Sequence, residues 1–347
     1  MAEKSWLGIR LVSRAALIRL LIVGVILGIL IGWAWFATIW MPGKSYGGSM
    51  PPLTQQEATL EKVLQQEVEK LSGEIGEHNY SQYQNLVAAV NFLEASLAAS
   101  GYQVQQQGYQ VTNQTFYNLE VEIKGTNRSD EIVIIGAHYD SVFGSPGAND
   151  NGTGAAAVLE LAHAFAGKKT SRTLRFVEFV NEEPPFFWKD SMGSVVYAKR
   201  CRDRDEKVVA MLSLETIGYY SNEEGSQEYP FPLNLFYPST GNFIGFVGNL
   251  ASGNLVREAI ASFRRHAKYP SEGAALPDKV PGVGWSDQWA FWQQGYPGIM
   301  VTDTALFRYP YYHTSADTPD KVDYERMARV VAGLEGVVAD LAGVVGQ

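Results

Sequence analysis

Large apolar residues in this chain recur first at helical spacing and later in short strand-like runs. Residues 55–72 and 81–100 show the helical spacing, so both stretches predict helices. Alternating stretches at 102–111 and 115–124 predict strands. Apolar runs then predict strands at 131–137, 174–180, 208–214 and 298–303, and these alternate with predicted helices at 152–166, 191–200, 253–267 and 321–345.

Strands that alternate with helices predict an α/β fold whose mostly parallel sheet is covered by helices on both faces, as in a three-layer α/β/α sandwich. Ligands of such folds bind at the carboxyl ends of the strands. Acids and histidines lie at or just after the ends of the predicted strands. They are His138, Glu182, Glu183, Glu215 and Asp303.

An uncharged stretch runs from Leu20 to Gly43, and its apolar core is long enough to cross a bilayer, which takes about 20 residues. Tryptophans crowd its far end and basic residues precede it, which predicts a cytoplasmic N-terminus. We predict a cytoplasmic basic segment at 1–19, a transmembrane anchor at 20–40, a Gly/Pro/Ser-rich linker at 41–54 and an extracytoplasmic domain at 55–347. A cleaved signal peptide or a buried core helix are the alternatives.

The net charge and the cysteine count argue against several kinds of binding site and cross-link. Residues 1–44 carry a net charge of +4 within a total of −9, so the rest of the chain is acidic, which argues against nucleic-acid binding. Cys201 is the only cysteine, which excludes an intrachain disulfide and a Cys/His zinc finger. The sequence gives no indication of oligomeric state.

Two histidines and several acids together form a ligand set for two divalent cations. Taken singly, each has an ordinary interpretation as a packed, turn or strand-end residue. Together they predict one metal held by His138, Asp150 and Glu215 and a second held by Asp150, Glu183 and His313. Nitrogen and oxygen ligands suit zinc, although manganese and cobalt are chemically possible.

Neighbouring acids complete the predicted site. Glu182 and Glu183 are adjacent on extended chain and point opposite ways, so one can bind metal while the other serves as general base. Asp140 could orient His138, and Asp317 could orient His313. His163 is predicted to be structural, and His78 and His266 are predicted to be exposed. Seven aromatic residues predict either an apolar substrate pocket or plain core: Phe186, Phe187, Trp188, Trp285, Trp289, Phe291 and Trp292.

From about residue 80 to its end, the chain resembles the clan MH zinc exopeptidases, which include leucyl aminopeptidases, glutamate carboxypeptidases and glutaminyl cyclases. The matching stretches are AHYDSV, GANDNGTGAAAVLELA, VNEEP, SDQWAFWQQGYPGI and YHTSADTPD. The resemblance implies a mixed central sheet flanked by helices, two zinc ions on the ligands above and Glu182 as the base. It also implies a cis peptide between Asp150 and Asn151, and Tyr312 as an oxyanion-stabilising residue.

The chain departs from the family in three places. Glu215 stands where the family commonly has Asp, and the family's Ser-Asp-His triplet reads Ser286-Asp287-Gln288. The stretch PPFFWKDSMGS is longer than the usual turn. These differences bear on the geometry of the first metal and on substrate preference.

The predicted function is a membrane-anchored zinc exopeptidase that is aminopeptidase-like, with carboxypeptidase activity left open. Its peptide substrate is attacked by a hydroxide shared by two zinc ions, with Glu182 as general base. One alternative is a single-zinc enzyme like the glutaminyl cyclases, which transfers an aminoacyl group. The other is a non-catalytic, receptor-like relative.

Overall fold

The computed structural model describes residues 14–344 of the chain. Within that range eight strands form one twisted sheet in the order β1-β2-β4-β3-β5-β8-β6-β7. The strands are β1 (Gln105–Val111), β2 (Gln114–Ile123), β3 (Arg128–His138), β4 (Arg172–Phe179), β5 (Lys207–Glu215), β6 (Ile244–Asn249), β7 (Ser271–Leu276) and β8 (Gly298–Thr302). The α-helices are α1 (Arg14–Thr38), α2 (Gln55–Val68), α3 (Tyr83–Ala99), α4 (Thr153–Phe165), α5 (Gly193–Asp203), α6 (Gly253–His266), α7 (Gln288–Gln293) and α8 (Tyr324–Ala342).

The centre of the sheet is parallel and its two sides are mixed. Strands β4, β3, β5 and β8 pair in parallel, whereas β1-β2, β2-β4 and β8-β6 are antiparallel and β6-β7 is parallel. From Ile132 to His138 every residue of β3 is buried, because helices or loops cover both faces. The predicted α/β sandwich with a mixed, mostly parallel sheet is confirmed.

Helices cover the sheet unequally. On one face α2, α3, α4, α6 and α8 share the largest apolar core, which contains Leu64, Leu93, Leu159, Phe263 and Leu334. On the other face α5 and α7 enclose a smaller core around Phe179, Tyr197 and Phe291. A third cluster, with Ala274, Leu276 and Val283 at its centre, lies against β7.

Three elements of the described structure were not predicted from the sequence: β6, β7 and α7. The two strands read IGFVGN and SEGAAL, whose Gly, Ala and Ser content is unlike that of a typical strand. The predicted helix at 55–72 ends earlier as α-helix, at Val68, and continues as a π-helical segment at Glu69–Ile75.

His78 is buried, which corrects the prediction of an exposed side chain. Its Nδ1 lies 2.5 Å from the carbonyl oxygen of Gly76, and its own carbonyl accepts the N–H of Ser141. His78 is therefore packed inside the domain, although its neighbours in sequence are mostly polar. His266 is exposed, as predicted, and contacts Asp340.

The apolar N-terminal helix runs from Arg14 to Thr38. It therefore begins before the predicted anchor at 20–40 and ends two residues before the last residue of that anchor. Its mean hydropathy reaches 2.7 over 18 residues, and none of that window is buried against the rest of the chain. This is consistent with a membrane anchor. Residues 1–13 of the predicted basic segment lie outside the described residues, and the domain boundaries stay predictions.

The residues that follow this helix pack against the domain at β7 and do not form a flexible linker. Ile39 belongs to the apolar cluster at β7, and the carbonyl of Pro42 accepts a hydrogen bond from Arg264. The hydroxyl of Ser45 accepts the backbone N–H of Ser271 at 2.9 Å. The anchor therefore leaves the folded domain beside its β7 edge.

Candidate metal centre

Parallel pairing brings the candidate side chains to one edge of the sheet. His138 is the last residue of β3 and pairs with Phe179, the last residue of β4. Glu215 is the last residue of β5 and pairs with Thr302 at the end of β8. The carboxyl ends of all four central strands therefore meet at this edge, where parallel α/β sheets bind their ligands.

The first predicted donor set converges there. His138 Nε2 lies 3.5 Å from Asp150 Oδ1 and 3.3 Å from Glu215 Oε2. All three side chains are buried. Ser286 Oγ donates a 2.6 Å hydrogen bond to Glu215 Oε2, which fixes that carboxylate, so the serine of the altered triplet has a positioning contact.

The second set converges on the other oxygen of the same aspartate. His313 Nε2 lies 3.0 Å from Asp150 Oδ2 and 3.3 Å from Glu183 Oε1. His313 is the more exposed partner, and its backbone is left-handed at φ 57°. Thr216 and Asn181, next to the candidate acids in sequence, also have positive φ. Such conformations in non-glycine residues cost about 1–3 kcal/mol and are concentrated at functional sites.

The loop that carries Asp150 is tied to its neighbours by two asparagine side chains. Asn149 donates to Asp303 Oδ2 and accepts from the N–H of Gly218. Asn151 donates to the carbonyl of Leu214 and accepts from two backbone N–H groups. The peptide bond between Asp150 and Asn151 is cis, as the resemblance implies.

Asp317 also holds this loop, which corrects the expectation that it orients His313. Its buried carboxylate accepts the backbone N–H of Asn149 at 2.8 Å and of Asp150 at 3.1 Å, and the hydroxyl of Tyr309 at 2.7 Å. The backbone N–H of Asp150, the candidate bridging residue, and that of the residue before it are therefore fixed by a charged acceptor.

Asp140 contacts both His138 and the turn that carries the two glutamates. Its carboxylate lies 3.6 Å from His138 Nδ1, but that nitrogen is closer to the backbone carbonyl of Asp140, at 3.0 Å. The carboxylate accepts the N–H groups of Glu182 and Glu183, at 3.0 and 3.2 Å. Asp140 therefore positions the turn that carries the two glutamates as well as the imidazole.

Glu182 and Glu183 are both buried beside the donor sets. Burial raises the pKa of the Glu182 carboxyl well above its ordinary value; His138 opposes that rise and the Glu183 and Glu215 carboxylates add to it. Burial likewise raises the pKa of Glu183 to about 7, with Asp150 adding to the effect. Such crowding of acids is unfavourable without cations nearby.

The donor set fits divalent cations. Asp150 Oδ2 and Glu183 Oε1 are fully buried and face His313 Nε2 at 3.0 and 3.3 Å, and no group among the described residues donates a well-aligned hydrogen bond to either oxygen. The ligand atoms within each set all lie within 4.8 Å of one another. Two histidine nitrogens and three carboxylates, two of which carry such an oxygen, match the ligand preference of zinc. The assignment of individual ligands stays a prediction.

The aromatic residues that were grouped in the sequence do not form one pocket. Phe291 is core between α5 and α7, and Phe186 is buried next to Phe116. Trp188 stacks between Phe187 and Trp289 and does not line the cavity beside the donor sets. Of the seven, only Trp285 lines that cavity.

An apolar cavity opens directly beside the donor sets. Glu215 and Tyr312 line its inner end, and Tyr312 stacks on His313 with ring centroids 3.8 Å apart. Burial raises the pKa of the Tyr312 hydroxyl, and the neighbouring acids Asp150 and Glu183 raise it further, so the phenol stays protonated. It can therefore donate a hydrogen bond at the site.

Sequence reasoning missed Asn149, Asn151, Ser286 and the positioning role of Asp317. Asn149 and Asn151 flank Asp150 directly, so their amides could have been proposed as loop-fixing groups from GANDNGTG alone. Nothing local signals the partner of Ser286 or Asp317, because both contacts join residues far apart in sequence.

The fold and this donor set define a metal-dependent hydrolase of the zinc exopeptidase class. Residues 118–338 match the peptidase family M28 model, and the chain belongs to that family. The predicted resemblance to zinc exopeptidases, and with it a metallopeptidase, is confirmed.

Individual relatives agree with this assignment. The chain is 34% identical over 292 residues to the uncharacterized protein YfbL of Escherichia coli K12, covering 82% of this chain and 88% of that protein. It is 25% identical over 306 residues to leucine aminopeptidase 1 of Arthroderma otae, covering 82% and 75%. A zinc aminopeptidase from Bacillus subtilis has the same fold, with a TM-score of 0.66 at 16% identity, covering 83% and 95%.

Proposed function

We propose that this chain is a two-zinc aminopeptidase that removes the N-terminal residue of peptides. The observation that carries the proposal is the shared carboxylate of Asp150. One of its oxygens faces His138 and the other faces His313, at 3.5 and 3.0 Å. A carboxylate placed between two imidazoles, each with a further glutamate beside it, is suited to bridge two cations.

In this proposal His138, Asp150 and Glu215 hold one ion and Asp150, Glu183 and His313 hold the other. Bound zinc would polarise the scissile carbonyl and lower the pKa of water. Asp140, Asp317 and Ser286 keep the ligands in place through the hydrogen bonds described above. Their role is positioning.

Glu182 is the proposed general base. It does not belong to either donor set, yet it is buried in the electrostatic field of His138 and Glu215. It would accept the proton of the attacking water and return it to the leaving amine. The Tyr312 hydroxyl would donate a hydrogen bond to the developing oxyanion.

The charge of the site favours an amino terminus over a carboxyl terminus. The described residues that line the cavity include Glu215 and Glu272 but no lysine or arginine. A carboxypeptidase needs a cation to bind the terminal carboxylate of its substrate, most often an arginine. An acidic site instead attracts an α-ammonium group. The name of the Arthroderma relative, leucine aminopeptidase 1, supports the same choice.

The presence of both donor sets distinguishes this proposal from the alternatives. A single-zinc, cyclase-like enzyme needs only one of the two sets. A receptor-like relative has no need for either set. Both sets have every donor in place, which favours a catalytic two-metal site over both alternatives.

Zinc content and the Glu182→Gln variant test the proposal together. Purified full-length enzyme should contain two zinc ions per chain and hydrolyse leucine anilides, and N-acetylation of the substrate should abolish turnover. Glu182→Gln should keep both ions and lose at least 100-fold in kcat, the scale of general-base catalysis. Glu228→Gln, an exposed acid, is the control. One bound zinc would refute the two-metal site, and near-normal turnover of Glu182→Gln would refute the base.

We also propose that the apolar helix anchors the enzyme with its N-terminus in the cytoplasm and its catalytic domain outside. Arg14 and Arg19 lie at the N-terminal end of the helix, in line with the excess of basic residues on cytoplasmic sides. Protease added to intact spheroplasts should digest the catalytic domain. A domain that becomes sensitive only after lysis would contradict this orientation.

A further inference from the structure

The cavity beside the metal centre has a floor made of one face of the sheet. It encloses about 840 Å³, counting the space open to solvent at its mouth. Alternate residues of three neighbouring strands form the floor, namely Met300 and Thr302 of β8, Gly245 and Val247 of β6, and Glu272 and Ala274 of β7. Because side chains alternate along a strand, all of these positions face the same side of the sheet.

A single row of paired residues connects the metal centre to the far end of this cavity. Glu215 pairs with Thr302, Thr302 pairs with Gly245, and Gly245 pairs with Glu272. Three strand spacings separate the two glutamates, which is about 14 Å between their backbones. Gly245 has no side chain, and the methyl groups of Thr304 and Thr302 lie 3.5 and 3.8 Å from the position that a Cβ would take there.

Glu272 is an unusual residue for the end of such a cavity, because the surroundings are apolar. Phe243, Leu233 and Leu276 line the walls. Among residues 14–344 no ion pair includes Glu272, and the pKa of its carboxyl is raised by burial, with Arg264 opposing. The guanidinium of Arg264 is instead engaged by Ser271 and Pro42.

Other polar groups near Glu272 do not supply it with an ion-pair partner. The hydroxyls of Tyr229 and Tyr237 donate to the backbone carbonyls of Pro238 and Gly273. The Ser45 hydroxyl is a hydrogen-bond partner of the carboxylate. A half-buried carboxylate with a hydroxyl partner and no cation within ion-pairing distance is suited to receive a cation from a ligand.

We propose that this cavity binds the side chain of the substrate's N-terminal residue and that Glu272 selects lysine or arginine there. The inference rests on the proposed function, because it takes the scissile bond to lie beside Glu215 and Tyr312. The methylene stem of a basic side chain lies along the apolar walls while its charged end reaches the carboxylate. A leucine side chain is too short to reach the β7 end and leaves Glu272 unpaired.

Full-length enzyme loaded with zinc provides the test, with aminoacyl anilides of lysine, arginine, leucine and norleucine as substrates. Norleucine has the unbranched stem of lysine without its charge, so the lysine-to-norleucine ratio of kcat/KM isolates the contribution of the charge. We expect a ratio above 10 in the wild type. Glu272→Gln should lower the ratio at least tenfold, and Glu272→Asp should retain part of the preference. Glu228→Gln, an exposed acid on the neighbouring loop, is the matched control and should leave the ratio unchanged.

Two failures are distinguishable. An enzyme that cleaves norleucine and leucine substrates at least as well as lysine substrates, or whose ratio is unaffected by Glu272→Gln, overturns the inference but not the proposed function. A zinc-loaded enzyme that cleaves none of the four substrates overturns the proposed function, and this inference with it. A salt series adds an independent readout, because the lysine preference of the wild type should weaken as ionic strength rises.

Discussion

Replacing Asp317 with asparagine perturbs the proposed bridging ligand without touching a metal donor. Each carboxylate oxygen of Asp317 accepts a backbone N–H, from Asn149 at 2.8 Å and from Asp150 at 3.1 Å. An asparagine side chain has only one acceptor oxygen, so one of these N–H groups would face an NH₂ group. The variant therefore loses one charge-assisted hydrogen bond completely and weakens the other.

The expected loss follows from the burial of this contact. A hydrogen bond to a charged acceptor contributes about 1.5–3 kcal/mol. If the ordered conformation of the Asp150 loop is destabilised by about 2 kcal/mol, zinc affinity should fall about 30-fold, since 1.4 kcal/mol is tenfold. This agrees with the 10–100-fold effect that is usual when residues supporting metal ligands are changed.

Zinc titration against a competing chelator measures the effect directly. Asp320→Asn is the matched control, because Asp320 is an exposed carboxylate whose side-chain contacts are Thr318 and Lys321. Tyr309→Phe removes only the third hydrogen bond to Asp317 and should give a smaller loss. A thermal melt of the zinc-free protein checks that each variant folds. An Asp317→Asn variant that folds and binds zinc within threefold of the wild type would refute the reasoning.

Three further predictions concern single side chains near the sheet. Ser286→Ala removes the 2.6 Å hydrogen bond to Glu215, so zinc affinity should fall by about tenfold, measured by the same chelator titration. An unchanged zinc affinity would show that the hydrogen bond from Ser286 does not help Glu215 to bind zinc. Gly154→Ala places a methyl group 2.4 Å from the carbonyl oxygen of Leu214, so thermal unfolding should report a loss of about 1–3 kcal/mol, and a wild-type melting temperature would contradict the packing. Burial raises the pKa of the Cys201 thiol to about 12, so almost no thiolate exists at pH 8. A thiol reagent should therefore react with Cys201 only after denaturant is added. Rapid labelling of the native enzyme would contradict a buried thiol.

Local sequence patterns were sufficient for the elements that build the centre of the fold. Strands β3, β4, β5 and β8 are short apolar runs bounded by polar residues, so they can be recognised in the sequence without knowing which strands they pair with. The same patterns failed for β6 and β7. β6 is held by pairing with β8, β7 is held by pairing with β6, and both pack on α6, so small residues such as Gly245 and Gly273 suffice there.

The sequence by itself determined which chemistry was available, because the acids and histidines stand directly after strand-forming runs. The carboxyl ends of parallel strands must meet at one edge, so their convergence could be expected from pattern alone. Only the tertiary structure decided which groups hold them in place. Asp317 contacts Asn149 across 168 residues and Ser286 contacts Glu215 across 71, and no local propensity encodes such partners. The position of Glu272 at the end of the cavity likewise depends on strand order, because a residue's neighbours across a sheet are fixed by pairing between strands that are distant in the chain.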